Sequence, residues 1–252
     1  MTNRIMTVAW ILCLIGGTGL AQDPFQVAPG AYKLQFENDW VKVARVHYAP
    51  RERLPAHDHP TAGTVFVYLN DGGPVRFEHV FPGHQPFPLV RPATRAGGFR
   101  LAQAVSEHHE VENLSDLPSD FLRVELKTQA IDVEKFQGRF APESMEDGVE
   151  KVAFENGQVR ILRTACPARK SCEVAGTPNL PALLIAFSPV QAIVTQKDGP
   201  AASVDMALGQ TQWLEPGQKA TLRNGRNETV QQLRIEFKTT PIKTARGIQK
   251  DE

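Results

Sequence analysis

The segment Glu37-Asn38-Asp39-Trp40-Val41-Lys42-Val43-Ala44-Arg45 recurs 118 residues later as Glu155-Asn156-Gly157-Gln158-Val159-Arg160-Ile161-Leu162-Arg163. In both segments Glu, Asn, Val, a basic residue, an aliphatic residue and Arg occupy the same positions. A second match, between Leu122-Arg123-Val124-Glu125-Leu126-Lys127 and Leu233-Arg234-Ile235-Glu236-Phe237-Lys238, has an offset of 111 residues. Two matches in the same order at opposite ends of a unit indicate a tandem duplication, with a second copy that is shorter in its middle.

Each copy has the residue pattern of short β-strands. Residues 41–46 and 159–163 alternate aliphatic with basic side chains, at the two-residue period of a half-buried strand. Residues 64–69 are β-branched and aromatic and end at Asn70-Asp71-Gly72-Gly73, which predicts a hairpin turn. The 19 glycines and 19 prolines are typical of a chain with many turns. We therefore expect an all-β fold, with a jelly roll or small barrel in each copy, because such folds leave no long bare sheet edge.

The first 21 residues have the pattern of a secretory signal peptide. Arg4 precedes an apolar run over residues 8–15, and Gly19-Leu20-Ala21 offers small residues for cleavage after Ala21. The apolar run is shorter than the ~20 residues that a membrane-spanning helix needs. An uncleaved membrane anchor is the alternative. The pattern predicts an exported protein, periplasmic or secreted, with no membrane contact after cleavage.

Charge and cysteine content narrow the function classes further. The chain has 28 Lys+Arg and 28 Asp+Glu, and so a formal net charge of zero. Nucleic-acid-binding proteins usually carry a cationic excess, so no nucleic-acid partner is expected. Removal of the signal peptide leaves two cysteines, Cys166 and Cys172. In an oxidising compartment this pair is a disulfide candidate, with two unpaired thiols as the alternative.

The repeat also sets the expected domain boundaries. The signal peptide is followed by a first domain, a mixed polar linker with a short helix around residues 131–136, a second domain and a polar tail. These four segments are expected at residues 22–127, 128–150, 151–240 and 241–252.

All seven histidines lie between residues 47 and 109. In His57-Asp58-His59 the two histidines are at i and i+2, so on an extended segment both imidazoles point to one face and can reach one ion. Neutral imidazole is a common ligand of transition metals, and Glu107-His108-His109 supplies candidates for a third ligand. His108 should point to the opposite face from His109. His79 and His84 flank an expected loop and are predicted to be exposed.

The second copy is an internal control for this cluster. At the two offsets, His57, His59 and His109 correspond to Ala175, Thr177 and Ala220. Joint replacement indicates that the three histidines share one function that folding does not require. We therefore predict that they bind one metal ion as a set.

These motifs resemble the cupin superfamily, specifically the double-domain cupins or bicupins, over most of residues 34–127 and 152–238. The family's first motif is His-x-His followed by Glu, and His57-Asp58-His59 matches the histidine pair. Its second motif ends in His-x-x-x-Asn, which His109-Glu110-Val111-Glu112-Asn113 matches. The resemblance implies two tandem cupin jelly-roll (double-stranded β-helix) barrels. It also implies one divalent transition metal in the first barrel, with Fe, Mn, Ni, Zn and Cu not distinguished, and a degenerate second barrel.

The sequence departs from the family pattern at two points. No carboxylate stands near Gly63 and Thr64, where the family's Glu ligand is expected, and Ala104-Val105-Ser106-Glu107 replaces the usual Pro-x-Gly. The site would then consist of three histidines together with water or substrate. Glu107 and His47 are candidates for an additional ligand or for a wall of the site.

Three functions are compatible with this pattern, and no catalytic residue is assigned from it. The first is a metal-dependent cupin dioxygenase acting on a small organic substrate, and the second is a metal-dependent isomerase or lyase. The third is a non-catalytic small-molecule-binding or structural module. A deep pocket with open coordination positions would favour an enzyme, whereas a filled one would favour the module. The second barrel would support the first or form a homodimer contact.

Overall fold

The computed structural model describes residues 22–80, 85–174, 176–195 and 200–243. The expected signal peptide, His84, Ala175 and most of the expected polar tail lie outside these residues. Across the described part of the chain, no helix is long and apolar enough to cross a membrane. One short α-helix, α1 (Pro24–Val27), precedes a long series of strands, which confirms the all-β class.

Within the residues described, the strands fall into two groups of nine, joined by a short extra strand, β10 (Gly138–Phe140). The first group, here called the first barrel, comprises β1 (Tyr32–Glu37), β2 (Val41–Tyr48), β3 (Arg53–His59), β4 (Thr64–Tyr68), β5 (Val75–His79), β6 (Phe87–Arg91), β7 (Phe99–Ala102), β8 (Glu107–Asn113) and β9 (Ser119–Leu126). The second barrel comprises β11 (Glu150–Glu155), β12 (Val159–Cys166), β13 (Ser171–Val174), β14 (Ala182–Ala186), β15 (Val190–Val194), β16 (Ala202–Met206), β17 (Thr211–Leu214), β18 (Ala220–Arg223) and β19 (Val230–Phe237).

Both barrels have the same sheet topology. The first has a larger sheet of order β1-β2-β9-β4-β7-β10 and a smaller sheet of order β3-β8-β5-β6. The second has the orders β11-β12-β19-β14-β17 and β13-β18-β15-β16. Each strand of the first barrel therefore has a counterpart ten strands later, and the strand pairs are antiparallel. Two sheets per unit in this order form the predicted jelly roll, and their repetition confirms the duplication.

The larger sheets of the two barrels pack against each other. Along β2, Ala44 and Val46 face the interior of the first barrel, whereas Val41 and Val43 join a core cluster shared with the second barrel. This cluster contains buried aliphatic residues of both larger sheets, among them Val65, Leu122, Ile161, Leu183 and Ile235. Each larger sheet is therefore covered on both faces, because one face closes its own barrel and the other meets the neighbouring barrel.

Reciprocal hydrogen bonds fix the two barrels further. The guanidinium of Arg45 donates to the carbonyl of Leu208 in the second barrel at 2.9 Å and pairs with Asp120 in its own barrel. Its counterpart Arg163 donates to the carbonyl of Gly97 in the first barrel. The recurrence of this arginine in both copies thus reflects the contact between barrels.

One local expectation, the hairpin, is wrong, and the segment between the barrels contributes more structure than a linker. The turn at residues 70–73 is not a hairpin, because β4 pairs with β7 and β9 whereas β5 pairs with β6 and β8. The chain crosses there from the larger sheet to the smaller, and a local turn signal does not distinguish the two outcomes. The segment 128–150 holds a short 3-10 helix, Val133–Lys135, within the range of residues 131–136 where a short helix was expected. It also holds β10, which adds a strand to the first barrel by pairing with β7.

Candidate metal centre

A β-bulge in β3 sets the direction of the histidine pair. Leu54 is paired with Val111 and His57 with His109, so β3 has one more residue than β8 between these two pairs. Because side chains alternate along a strand, the extra residue is what lets Leu54, His57 and His59 all be buried. The bulge also brings the carbonyl of Pro55 to 2.8 Å from Nδ1 of His57. A carbonyl only accepts, so Nδ1 carries the proton and Nε2 keeps its lone pair.

Three imidazoles converge inside the first barrel, those of His57, His59 and His109. One ligand nitrogen from each lies within 4.8 Å of the other two. Their ring centroids are 4.9 to 5.2 Å apart, and all three side chains are buried. The structure therefore brings together the three histidines that the duplication singled out.

The electrostatics of this cluster favour neutral rings. Burial lowers the pKa of His57 and of His59, and it lowers the pKa of His109 to about 2. Within the described residues, Nε2 of His59 and both ring nitrogens of His109 have no hydrogen-bond partner. Buried polar atoms without partners are rare in proteins, and neutral imidazoles at this spacing are ligands that divalent transition metals prefer. The donor set thus fits one such metal and does not select among Fe, Mn, Ni, Zn and Cu.

Two of these histidines, His59 and His109, line a cavity with an empty volume of about 530 Å³, which includes its opening to solvent. Two tyrosines stand beside the histidines, and sequence reasoning did not assign Tyr32 to the site. The Tyr32 hydroxyl lies 3.1 Å from Nε2 of His57 and 2.9 Å from the Tyr48 hydroxyl. Burial raises the pKa of Tyr32 well above its usual value and that of Tyr48 to about 12. Both phenols therefore stay protonated and are hydrogen-bond donors in the cavity.

The structure places His47 and Glu107, the two candidates for an additional ligand or a wall of the site, on different sides of the barrel wall. His47 is exposed and lies between the buried Val46 and Tyr48, so it points out of the barrel. The expectation that His47 is a ligand or wall is wrong, since the strand alternation places it on the opposite face. Glu107 is buried in the cavity wall, and its Oε2 accepts a hydrogen bond from Arg123 at 3.0 Å.

The other histidines of this region also differ from each other. His108 points away from the cluster, as expected, and its Nδ1 lies 2.7 Å from Oδ1 of Asp58. His79 is buried on β5, with its ring centroid 5.3 Å from that of His109, so the prediction of an exposed side chain is wrong. The alternation of Val75, Phe77 and His79 along β5 could have revealed this inward direction.

Strand register refines the comparison with the second barrel. Val174 is opposite Ala220 there, as His57 is opposite His109 in the first barrel. The counterpart of His57 is thus Val174 and not Ala175, because the described part of β13 has no bulge. Both counterparts pack in an apolar core that fills the second barrel. That core also holds the disulfide between Cys166 and Cys172, whose Cα atoms are 5.6 Å apart.

No protein-family model matches the sequence, and no curated protein matches it. Similar solved structures include AerE from Microcystis aeruginosa, with a TM-score of 0.57 and 10% identity over 82% of this chain and 97% of that one. The oxalate decarboxylase of Lactobacillus farciminis, in a formate complex, gives a TM-score of 0.54 and 12% identity, over 81% of this chain and 78% of that one. Pumpkin seed globulin gives 0.56 and 11% identity, over 80% and 78%. Such identities carry the fold alone, and the chain has the fold of the double-domain cupins.

Proposed function

We propose that this protein is an exported, metal-dependent double-domain cupin whose first barrel is an oxygenase acting on a small organic substrate. The observation that carries the proposal is the convergence of three buried, neutral imidazoles, two of which, those of His59 and His109, line a cavity that opens to solvent. The second barrel, filled by apolar side chains, would support the first. Export is favoured by the pattern of residues 1–21 and by the disulfide of the second barrel.

The residues of the cavity have distinct roles in this proposal. His57, His59 and His109 would hold a divalent transition metal, which when bound supplies Lewis-acid and redox chemistry. The Pro55 carbonyl orients the His57 ring through Nδ1. With only three protein ligands, such a metal would have room for water or a substrate, and the hydroxyl of Tyr48, which lines the cavity, could donate a hydrogen bond to that substrate.

A lyase or isomerase is the second candidate function, and the position of Glu107 in the cavity favours it. Its carboxylate lines the same cavity as His59 and His109. A carboxyl group beside a metal-bound substrate could take up or return a proton, which non-redox chemistry of this class requires.

The first test is metal content. The purified mature protein should contain about one transition-metal ion per chain after reconstitution, and the variant His57→Ala/His59→Ala/His109→Ala should contain none, because three ligands act as a set. Elemental analysis by mass spectrometry measures both. The triple variant should stay folded, since the second barrel folds with Val174 and Ala220 at two of these positions.

The variant His47→Ala is the matched control, and it should keep the metal because its side chain is exposed. Wild-type protein without a transition metal after reconstitution would overturn the metal site. The metal-loaded protein then separates the two reactions. Substrate-dependent oxygen uptake indicates the oxygenase, whereas product formation without oxygen uptake indicates the lyase or isomerase.

A further inference from the structure

Three guanidinium groups surround one aromatic ring in the first barrel. Their central carbons lie 3.9 Å (Arg100), 5.2 Å (Arg123) and 5.9 Å (Arg91) from the centroid of Phe66. All three arginines line the cavity that contains His59 and His109. Sequence reasoning did not assign Arg91 or Arg100 to the site.

Only one of the three arginines is fully neutralised by acids. Arg123 donates to Glu125 at 2.8 Å and to Glu107 at 3.0 Å. Arg91 comes no closer than 3.8 Å to the same Glu107. Arg100 has no ion pair among the described residues. Three cations therefore share two carboxylates, which leaves a net positive charge in the cavity before any metal is added.

Two of the cavity's guanidinium groups have a buried N–H group without a hydrogen-bond acceptor in the described part of the chain. Nε of Arg91 and Nε of Arg100 have no hydrogen-bond partner among the described residues. Burial lowers the pKa of Arg91, and it lowers the pKa of Arg100 to about 10. Both groups still carry a proton and a charge at neutral pH. Arg100 also shares a hydrogen bond with the Tyr68 side chain, but neither guanidinium has a full ion pair within the described ranges. A buried cation without a full ion pair is unfavourable, and an anionic ligand would remove that cost.

Comparison with the second barrel distinguishes arginines that have a structural role from arginines that belong to the site. By strand register, Arg123 and Glu125 correspond to Arg234 and Glu236, which form an ion pair of their own. Arg91 is opposite Val75 in the first barrel, and Met206 is opposite Val190 at that position in the second. Arg100 is opposite Phe66, and Gln212 is opposite Leu184. The arginines without full ion pairs are thus lost together with the histidines, whereas the fully paired one is retained.

We propose that Arg91 and Arg100 form a subsite for the carboxylate of a small organic acid, in the cavity of the candidate metal centre. The proposal rests on the proposed function, because it names the substrate class of that cavity. A guanidinium group matches the geometry of a carboxylate and binds it through paired hydrogen bonds. The rings of Phe77 and Phe121 form apolar walls of the cavity, which suit a hydrocarbon body and not free phosphate.

Calorimetric titration of the mature protein with formate, acetate and benzoate tests the subsite, with benzamide and inorganic phosphate as comparison ligands. At least one carboxylate should bind, and benzamide should bind more weakly than benzoate because it lacks the charge. The variants Arg91→Met and Arg100→Gln, which carry the second barrel's own residues, should each weaken binding about tenfold or more. Both should melt no lower than the wild type, since each change removes a buried cation that lacks a full ion pair.

Arg76→Met is the matched control. Arg76 lies on the same smaller sheet as Arg91, and it pairs with Glu112 in a more exposed position. It should leave carboxylate binding unchanged. The proposal is overturned if none of the three carboxylates binds, if Arg91→Met and Arg100→Gln bind them as the wild type does, or if phosphate binds more tightly than every carboxylate. The triple histidine variant keeps the two proposals apart, because carboxylate binding should persist in it while metal binding is lost.

Discussion

At the scale of single residues, comparison of the two barrels distinguishes buried charges that stabilise the fold from buried charges that belong to the candidate site. Arg123 and Glu125 are kept in the second barrel as Arg234 and Glu236, and both pairs are buried. Burial alone would lower the pKa of Arg123, but the carboxylates of Glu107 and Glu125 outweigh that effect and raise it. Retention in a barrel without the histidines indicates a structural ion pair.

The variant Arg123→Met should therefore destabilise the protein strongly. It would leave the carboxylate of Glu125 buried without its cation and leave Glu107 only its longer contact with Arg91, and removal of one partner of a buried pair typically costs about 3–5 kcal/mol. Denaturant unfolding of the metal-free protein measures the change. The more exposed pair of Arg76 and Glu112 gives the comparison, since Arg76→Met should cost less than about 1 kcal/mol. Equal effects of the two changes would contradict a structural role for Arg123.

At the scale of elements, the bulge in β3 marks how far sequence reasoning could go. Matching residues at constant offsets predicted the strands and the loss of histidines from the second copy. The same matching assigned Ala175 as the counterpart of His57, one residue beyond the true counterpart Val174. A bulge changes the offset between the copies, and it leaves no residue pattern of its own. The exposure expected for His79 failed because a strand end was taken for a loop.

Deletion of Ala56 tests what the bulge contributes. It would give β3 the spacing of β13, so His57 would still face inward, but the Pro55 carbonyl would no longer reach Nδ1. Loss of such an orienting contact typically lowers metal affinity about 10- to 100-fold. Competition with a chelator measures the affinity. Ala56→Gly keeps the chain length and should keep the affinity, whereas an unchanged affinity after the deletion would show that the carbonyl contact is dispensable.

At the scale of the whole molecule, the sequence was sufficient for the fold and insufficient for the cavity. The strand alternation and the repeat are local or periodic signals, and both are visible in one chain. Arg91 and Arg100 lie on different sheets, and only folding places them around Phe66. Their importance appears only when strand register identifies Met206 and Gln212 as their counterparts, and no constant offset gives both pairs.

The shared core between the larger sheets predicts that both barrels unfold together. Ile161 lies in the second barrel and is fully buried in that core, so Ile161→Ala should cost about 2–5 kcal/mol. All three tyrosines of the chain lie in the first barrel, so the tyrosine bands of the second-derivative absorbance spectrum, separated from those of Trp213 in the second barrel, report its unfolding. The tyrosine transition should shift to the same lower midpoint as the whole-chain circular dichroism signal. Val152→Ala, on the same larger sheet but exposed, should change the stability by less than about 0.5 kcal/mol. A tyrosine transition that keeps its wild-type midpoint in Ile161→Ala would show that the first barrel unfolds independently.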